Sequence, residues 1–352
     1  MAARNVLPES RSSALVERKR AGIVDRYLLL QAGLLVVRAG PALILLILVA
    51  AVALTTDVFL TSRNVGNVFS QTAVISVLAL GQLLVIITRG IDLSVGATVA
   101  LSSVVGALVY RDLTDSGALV ILAILGTGLA VGAVNGLVYV YGRIPHPFIV
   151  TLATLSIAKG VALWAADGTL IPGVPPAVDK LGGSYEWLPY SFFLVLGLAL
   201  TVLVLSRSLV WGRWLYAVGG SPEAARRTGI PVNRVLVTVY VLCGLAAGFG
   251  GVIVASQTAS GSPTFGELAE LDSIAAVIIG GAAFAGGRGH VGNALVGALT
   301  IGVIRNALNL HNVDAFYQLI VIGVVILIAV ELDVIRGWLE DRFRMAQAAR
   351  NA

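Results

Sequence analysis

Asp92 stands alone between two apolar runs; no other carboxylate occurs between Asp57 and Asp112. An ionisable group beside hydrocarbon is costly, so it faces a partner, a cavity or water. Asp92 and Ser94, in Gly90-Ile91-Asp92-Leu93-Ser94-Val95-Gly96, carry oxygens suited to capping an outgoing helix. The free amides of that helix start would then open towards a polar path. Position alone favours a plainer reading, a cap standing in cytoplasmic water. Gln82, Asn135, Thr151, Asn306 and Asn309 also interrupt apolar runs, as do Gln71, Thr72 and Thr154. Polar groups of this kind are candidates for a hydrophilic translocation route; bridging between helices is their other use. Lys159 and Arg305 fall inside apolar runs too, and their long stems suit snorkelling towards the outer interface.

A second constellation is Ser221-Pro222-Glu223-Ala224-Ala225-Arg226-Arg227-Thr228-Gly229, followed by Ile230-Pro231. Ser221 is a good N-cap, Pro222 suits the first helical position, and Glu223 complements the helix dipole. Arg226 and Arg227 favour the C-terminal end, and Gly229 with Pro231 stops the helix. A helix this short is unstable alone. It either docks on a partner or is an ordinary solvated connector.

Catalysis is not expected. The chain has one cysteine, Cys243, and three scattered histidines, His146, His290 and His311, so neither a disulfide nor a metal cluster is anticipated. No Gly-x-x-x-x-Gly-Lys-Ser/Thr loop is present, and the glycine-rich stretch Gly280–Gly289 lacks the lysine. ATP is therefore not expected to bind this chain by that device. Neither a nucleophile elbow nor a His-Glu-x-x-His pattern occurs.

The elements that must position these residues are membrane helices. Hydrophobic residues make up 57% of the chain and charged residues 12%, with a mean hydropathy of +0.92. A soluble domain carries about 25% charged residues, so lipid must cover most of this surface. Apolar runs at 41–60, 68–88, 93–110, 118–141, 147–166, 190–206, 234–256, 272–287, 291–310 and 315–332 predict about ten spans, each near the roughly 20 residues that a bilayer requires. Helix is the expected form, because backbone groups in lipid must be satisfied within the segment. Alternating strand patterning is missing, which argues against a barrel.

Residues 1–40 form a basic tail with no cleavable signal peptide, and Tyr27–Val37 is either an interfacial amphipathic stretch or a linker. Lys and Arg gather in this tail, in the connection 207–234 and after residue 332, against only Arg63, Arg111 and Lys180 in the alternate connections. The bias puts both termini in the cytoplasm, with residues 333–352 as a C-terminal tail. It also assigns the net charge of +5 to membrane topology rather than to nucleic acid. The outer connection Asp167–Pro189 is restrained by Pro172, Pro175 and Pro176, with Trp187 and Tyr190 as interface anchors. Gly128, Gly132 and Gly136 recur every four residues, as do Gly244 and Gly248. Such faces permit close helix packing, within the chain or in a dimer seam. Arg288-Gly289-His290-Val291-Gly292 echoes the stretch from Arg89-Gly90 to Val95-Gly96, a pattern that fits an internal repeat or chance in a Gly/Val-rich sequence.

These motifs together resemble permease subunits of bacterial ATP-binding cassette (ABC) sugar importers of the ribose/xylose/galactose type. Gly90–Gly96 looks like that family's signature. Ala217-Val218-Gly219-Gly220 through Ile230 resembles its ATPase-contacting loop, and Gly286–Gly289 with Gly302–Leu310 matches its C-terminal half. The likeness runs from about Asn64 to Glu331. It departs at Arg89, which stands where the family usually has glycine.

The resemblance implies an all-α polytopic permease domain over 41–332, similar in fold to the vitamin B12 importer, in a bacterial cytoplasmic (inner) membrane. It implies a dimer with a second permease subunit, a cytoplasmic ATPase partner that holds ATP and Mg, and a periplasmic or lipid-anchored binding protein that delivers a monosaccharide. Ser221–Gly229 would be the ATPase-coupling helix, and the Asp92 segment would border the path. A permease for nucleosides or branched-chain amino acids is the nearest alternative. An ion-coupled secondary transporter would require paired intramembrane carboxylates, which the sequence does not offer, and a membrane enzyme would require a cluster it lacks.

Overall fold

A computed structural model describes residues 39–351. The basic tail expected over 1–40, with Tyr27–Val37, lies outside these residues except at its last two positions. Residues 41–329 form one compact unit.

Most of the hydrophobic runs become helices. In chain order they are α1 (Ala39–Thr55), α2 (Ser62–Ile87), α3 (Val95–Asp112), α4 (Gly117–Tyr141) and α5 (Pro147–Ala165). The one-turn α6 (Pro176–Asp179), α7 (Tyr190–Arg207), α8 (Val210–Gly220), α9 (Pro222–Arg227), α10 (Val232–Thr258), α11 (Ala269–Ile279), α12 (Val291–Leu310) and α13 (Ala315–Asn351) come after them. Among the described residues, α2, α3, α4, α5, α7, α10, α12 and the Ala315–Met345 part of α13 are long and apolar enough to cross a membrane. The protein is thus an all-α, multi-pass membrane protein. Two short two-stranded ribbons, Ile171–Pro172 with Ser260–Gly261 and Ser184–Tyr185 with Leu188–Pro189, are its β-structure among the described residues.

The core lies around α2 and α10. Leu78, Leu83, Leu84, Ile86 and Ile87 of α2 pack with Tyr240 and Ala247 of α10, Ala276 of α11 and Ile301 of α12. Helices α4, α5 and α7 instead turn large apolar side chains outward, Leu122, Ile157, Trp164 and Leu200 among them. In water such faces would aggregate; in a bilayer they are its natural contact.

A close crossing joins α4 to α10. A Cβ added to Gly128 or Gly244 would stand 2.3 Å from the other's carbonyl oxygen, and one on Gly132 would stand 2.3 Å from the Tyr240 oxygen. Gly248 faces Leu125 and Gly136 faces Val237, so all five seam glycines sit at one intramolecular crossing. Backbones this close accept no side chain between them.

Two boundaries differ from the hydropathy reading. The run 272–287 is not one helix: α11 ends at Ile279 after 11 residues. Gly280 and Gly281 open a turn in which Gly281, Gly286 and Gly287 all take positive φ, a conformation that glycine adopts without strain. After the apolar run that ends at 332, α13 continues as helix to Asn351. Within 330–351 the Arg342 guanidinium lies 4.8 Å from the Trp338 ring centroid, a cation–π contact.

Candidate translocation and coupling sites

Asp92 lies in the connector between α2 and α3, outside both helices. The connector folds back against α2, and Gln82 fastens it there. The Gln82 side-chain amide donates to the Asp92 carbonyl at 2.8 Å, and its oxygen accepts from the Asp92 backbone N–H at 3.3 Å. The Asp92 carboxylate accepts from the Ser94 backbone N–H at 2.9 Å and from the Ser94 hydroxyl at 2.6 Å. Asn135 of α4 donates to Ser94 Oγ at 2.8 Å and more distantly, at 3.4 Å, to both carboxylate oxygens. Thr151 of α5 donates to the Ile91 carbonyl at 3.3 Å, and the Cys243 thiol of α10 lies 3.8 Å from the Gln82 oxygen.

Gln82, Asp92, Ser94, Asn135 and Thr151 are all buried, with Asp92 only 1% exposed. The structure therefore brings five of the sequence candidates into one polar knot where α2, α3, α4, α5 and α10 meet. Asp92 does not stand in open water as a plain cap. Burial pushes its carboxyl up from the ordinary carboxylate value, and the donors from Ser94 and Asn135 oppose this. Two atoms beside the knot, the Tyr240 hydroxyl and Asn135 Oδ1, have no hydrogen-bond partner.

Asn306 and Asn309 lie elsewhere. Asn306 is buried and exchanges amide hydrogen bonds with Asn64 of α2. Asn309 is exposed and accepts from Gln318 at 2.8 Å. Nor do the two intramembrane cations simply snorkel. Arg305 pairs with Asp272, which is 3% exposed, and Lys159 Nζ donates to the Pro263 carbonyl at 2.8 Å. Hydropathy alone could not find the Asp272–Arg305 pair, since its partners lie 33 positions apart on different helices.

At the other end of the connector, the turn after α2 meets α8 and the glycine turn after α11. Gly287 N–H donates to the Ile87 carbonyl at 2.8 Å, and a Cβ on Gly219 would stand 1.9 Å from that oxygen. The echoing segments around Arg89 and Arg288 are thus brought side by side.

Helix α8 rests on the core through Leu215 and Val218 and presents α9 beyond it. The Ser221 side chain accepts from Ala224 N–H at 3.2 Å, the cap that the residue types foretold. Ala225 is buried and seats α9, while Glu223, Ala224, Arg226, Arg227 and Thr228 are exposed. Arg227 pairs with Glu223 at 2.9 Å, yet both side chains are about 80% exposed. A pair of that kind contributes roughly 0.3–0.5 kcal/mol, so the cap and Ala225 hold this helix rather than the ion pair.

Fold and site together define a multi-pass helical membrane protein with a buried polar knot at a five-helix junction and a capped polar helix held out on a connector. The chain belongs to the family described as the branched-chain amino acid transport system / permease component, whose model matches residues 64–330. It is 41% identical over 308 residues to the ribose import permease protein of Bacillus subtilis, covering 84% of this chain and 92% of that one. It is 38% identical over 294 residues to the ribose import permease protein of Escherichia coli K12, covering 82% and 91%. With the xylose transport system permease protein of the same strain it shares 33% over 344 residues, covering 79% and 87%. No solved structure matches the chain.

Proposed function

We propose that this chain is the permease subunit of an ABC importer and forms the translocation path for a monosaccharide. The observation that carries this reading is the near full-length similarity to permeases named for ribose and xylose. The exposed, capped α9 supports it, because a short polar helix seated on a single buried alanine is suited to fit a groove in a second protein.

On this reading about ten segments cross the membrane, the eight long helices together with α1 and the shorter α11 and its turn. The fold is then of the vitamin B12 importer kind. Both termini face the cytoplasm of a bacterial inner membrane, and two permease subunits pair. Ser221–Gly229 docks in a cytoplasmic ATPase, which carries ATP and Mg, so this chain is not itself an enzyme. A periplasmic or lipid-anchored binding protein delivers the sugar. The Asp92 knot borders the path; Asn306 and Asn309, set apart from it, are assigned to helix bridging.

Purification in mild detergent tests this reading. An ABC ATPase and a sugar-binding protein should accompany the chain. A branched-chain amino acid is the second reading, favoured by the family's description; co-purification of an amino-acid-binding protein would select it.

A further inference from the structure

Arg89 holds a left-handed backbone conformation, φ +67, that glycine would adopt freely. A bulky residue persists in such a conformation where its surroundings over-determine it. Here they do. The backbone N–H groups of Arg89 and Gly90 donate to the Ile86 and Val85 carbonyls at 3.0 and 2.9 Å, closing α2. The side chain then reaches across to α8. Its Nε donates to the Gly219 carbonyl at 2.7 Å, and an Nη donates to the Gly220 carbonyl. These are carbonyls at the C-terminus of α8, where a cation is favoured. The next residue is Ser221, the N-cap of α9.

From this geometry we infer that Arg89 is a positioning residue which ties the start of α9 to the connector carrying Asp92. Gly220, held by the guanidinium, adjoins the α9 cap; Arg89 itself lies three positions before Asp92, whose backbone Gln82 grips on both sides. The junction has no slack, since a Cβ on Gly286 would meet Arg89 Cγ at 2.3 Å and one on Gly219 would meet Gly287 N at 2.7 Å. A push on α9 therefore reaches the polar knot through the guanidinium and this packed backbone. A glycine at position 89 would keep the turn and lose that tie. The inference rests on the reading of α9 as the ATPase contact.

The test uses the complete importer with its ATPase and binding protein in proteoliposomes, supplied with labelled ribose or xylose, whichever the wild type takes up. Arg89→Gly, Arg89→Lys and, separately, Ala224→Trp are compared for sugar moved per ATP hydrolysed, thermal stability and ATPase co-purification. Arg89→Gly should lower the sugar-to-ATP ratio about five- to tenfold, the usual size of a coupling effect between two sites, with stability and co-purification as in the wild type. Arg89→Lys, which keeps a cationic donor, should restore most of the ratio. If Arg89→Gly keeps the wild-type ratio while Ala224→Trp loses it, the role of Arg89 is refuted and that of α9 stands. A loss accompanied by lowered stability makes Arg89 a plain helix cap and overturns the inference. Should Ala224→Trp leave both ratio and ATPase binding intact, the reading of α9 fails and takes this one with it.

Discussion

Asn64 and Asn306, 242 positions apart in the chain, exchange a reciprocal pair of amide hydrogen bonds. Asn64 Nδ2 donates to Asn306 Oδ1 at 2.9 Å, and Asn306 Nδ2 returns the bond to Asn64 Oδ1 at 3.0 Å. Asn64 also donates to the Phe59 carbonyl at 2.9 Å, so the pair fastens the start of α2 to the far part of α12. Both side chains are buried, at 5% and 3% exposure. Asn306→Ala leaves the Asn64 amide short of a partner and should cost about 1–2 kcal/mol. A double-mutant cycle with Asn64→Ala, read by thermal unfolding in detergent, should return a coupling of about 0.6 kcal/mol, the average for helix-bridging bonds in membranes, and at most about 1.7 kcal/mol. Strict additivity would remove this pair from the account of the fold.

The α4–α10 seam predicts a steep dependence on residue size. Gly132→Val puts its Cβ where the Tyr240 oxygen already lies within 2.3 Å, and two methyl groups beyond that. Overpacking of a tight interface costs about 1–3 kcal/mol or more. Gly126 lies on the same helix with nothing within 4 Å of an added Cβ. Gly126→Ala should therefore unfold at the wild-type temperature or slightly above. Equal effects of the two substitutions would show that the seam is not close-packed.

Much of this architecture could be read from the chain, and the parts that could not have physical reasons. Hydropathy located the long helices because lipid imposes length and composition on each segment separately. The α9 cap was legible because Ser221, Pro222 and Gly229 act on their immediate neighbours. The end of α11 was written in Gly280-Gly281, but the surrounding apolar run masked it. What sequence could not supply was registration between helices. Nothing in the spacing of Gln82, Asp92 and Asn135 says that the connector folds back to join them. Arg89 gave a partial signal, as a large residue where the resembling family has glycine, without indicating its partners on α8.

Asp92→Asn tests the polar knot. The substitution keeps the shape and, with its amide oxygen in the place of Oδ1, both Ser94 bonds, but it puts an NH2 group in the place of Oδ2, opposite the Asn135 Nδ2 donor. Donor against donor in a buried site should cost about 1–3 kcal/mol. Sugar uptake should fall with it, because the same residues border the proposed path. Wild-type uptake and stability together would exclude Asp92 from both roles.

Helix α9 predicts a separation of assembly from work. Ala224 is exposed, so Ala224→Trp should insert and fold normally while obstructing the docking face. Sugar transported per ATP should drop about tenfold, a coupling loss near 1.4 kcal/mol. Ser221→Ala removes the cap to Ala224 N–H and should weaken α9 by about 1 kcal/mol, visible as faster proteolysis or hydrogen exchange between residues 221 and 229. Unchanged exchange there would mean that contacts other than the cap hold the helix.

The central claim is that this chain supplies the membrane gate while a separate cytoplasmic ATPase supplies the energy. Uptake of labelled ribose or xylose into proteoliposomes tests it most directly, with the chain reconstituted either alone or with its ATPase and binding protein. The account predicts uptake only in the complete assembly, and only with ATP. Uptake by the chain alone, driven by a proton or sodium gradient, would contradict it.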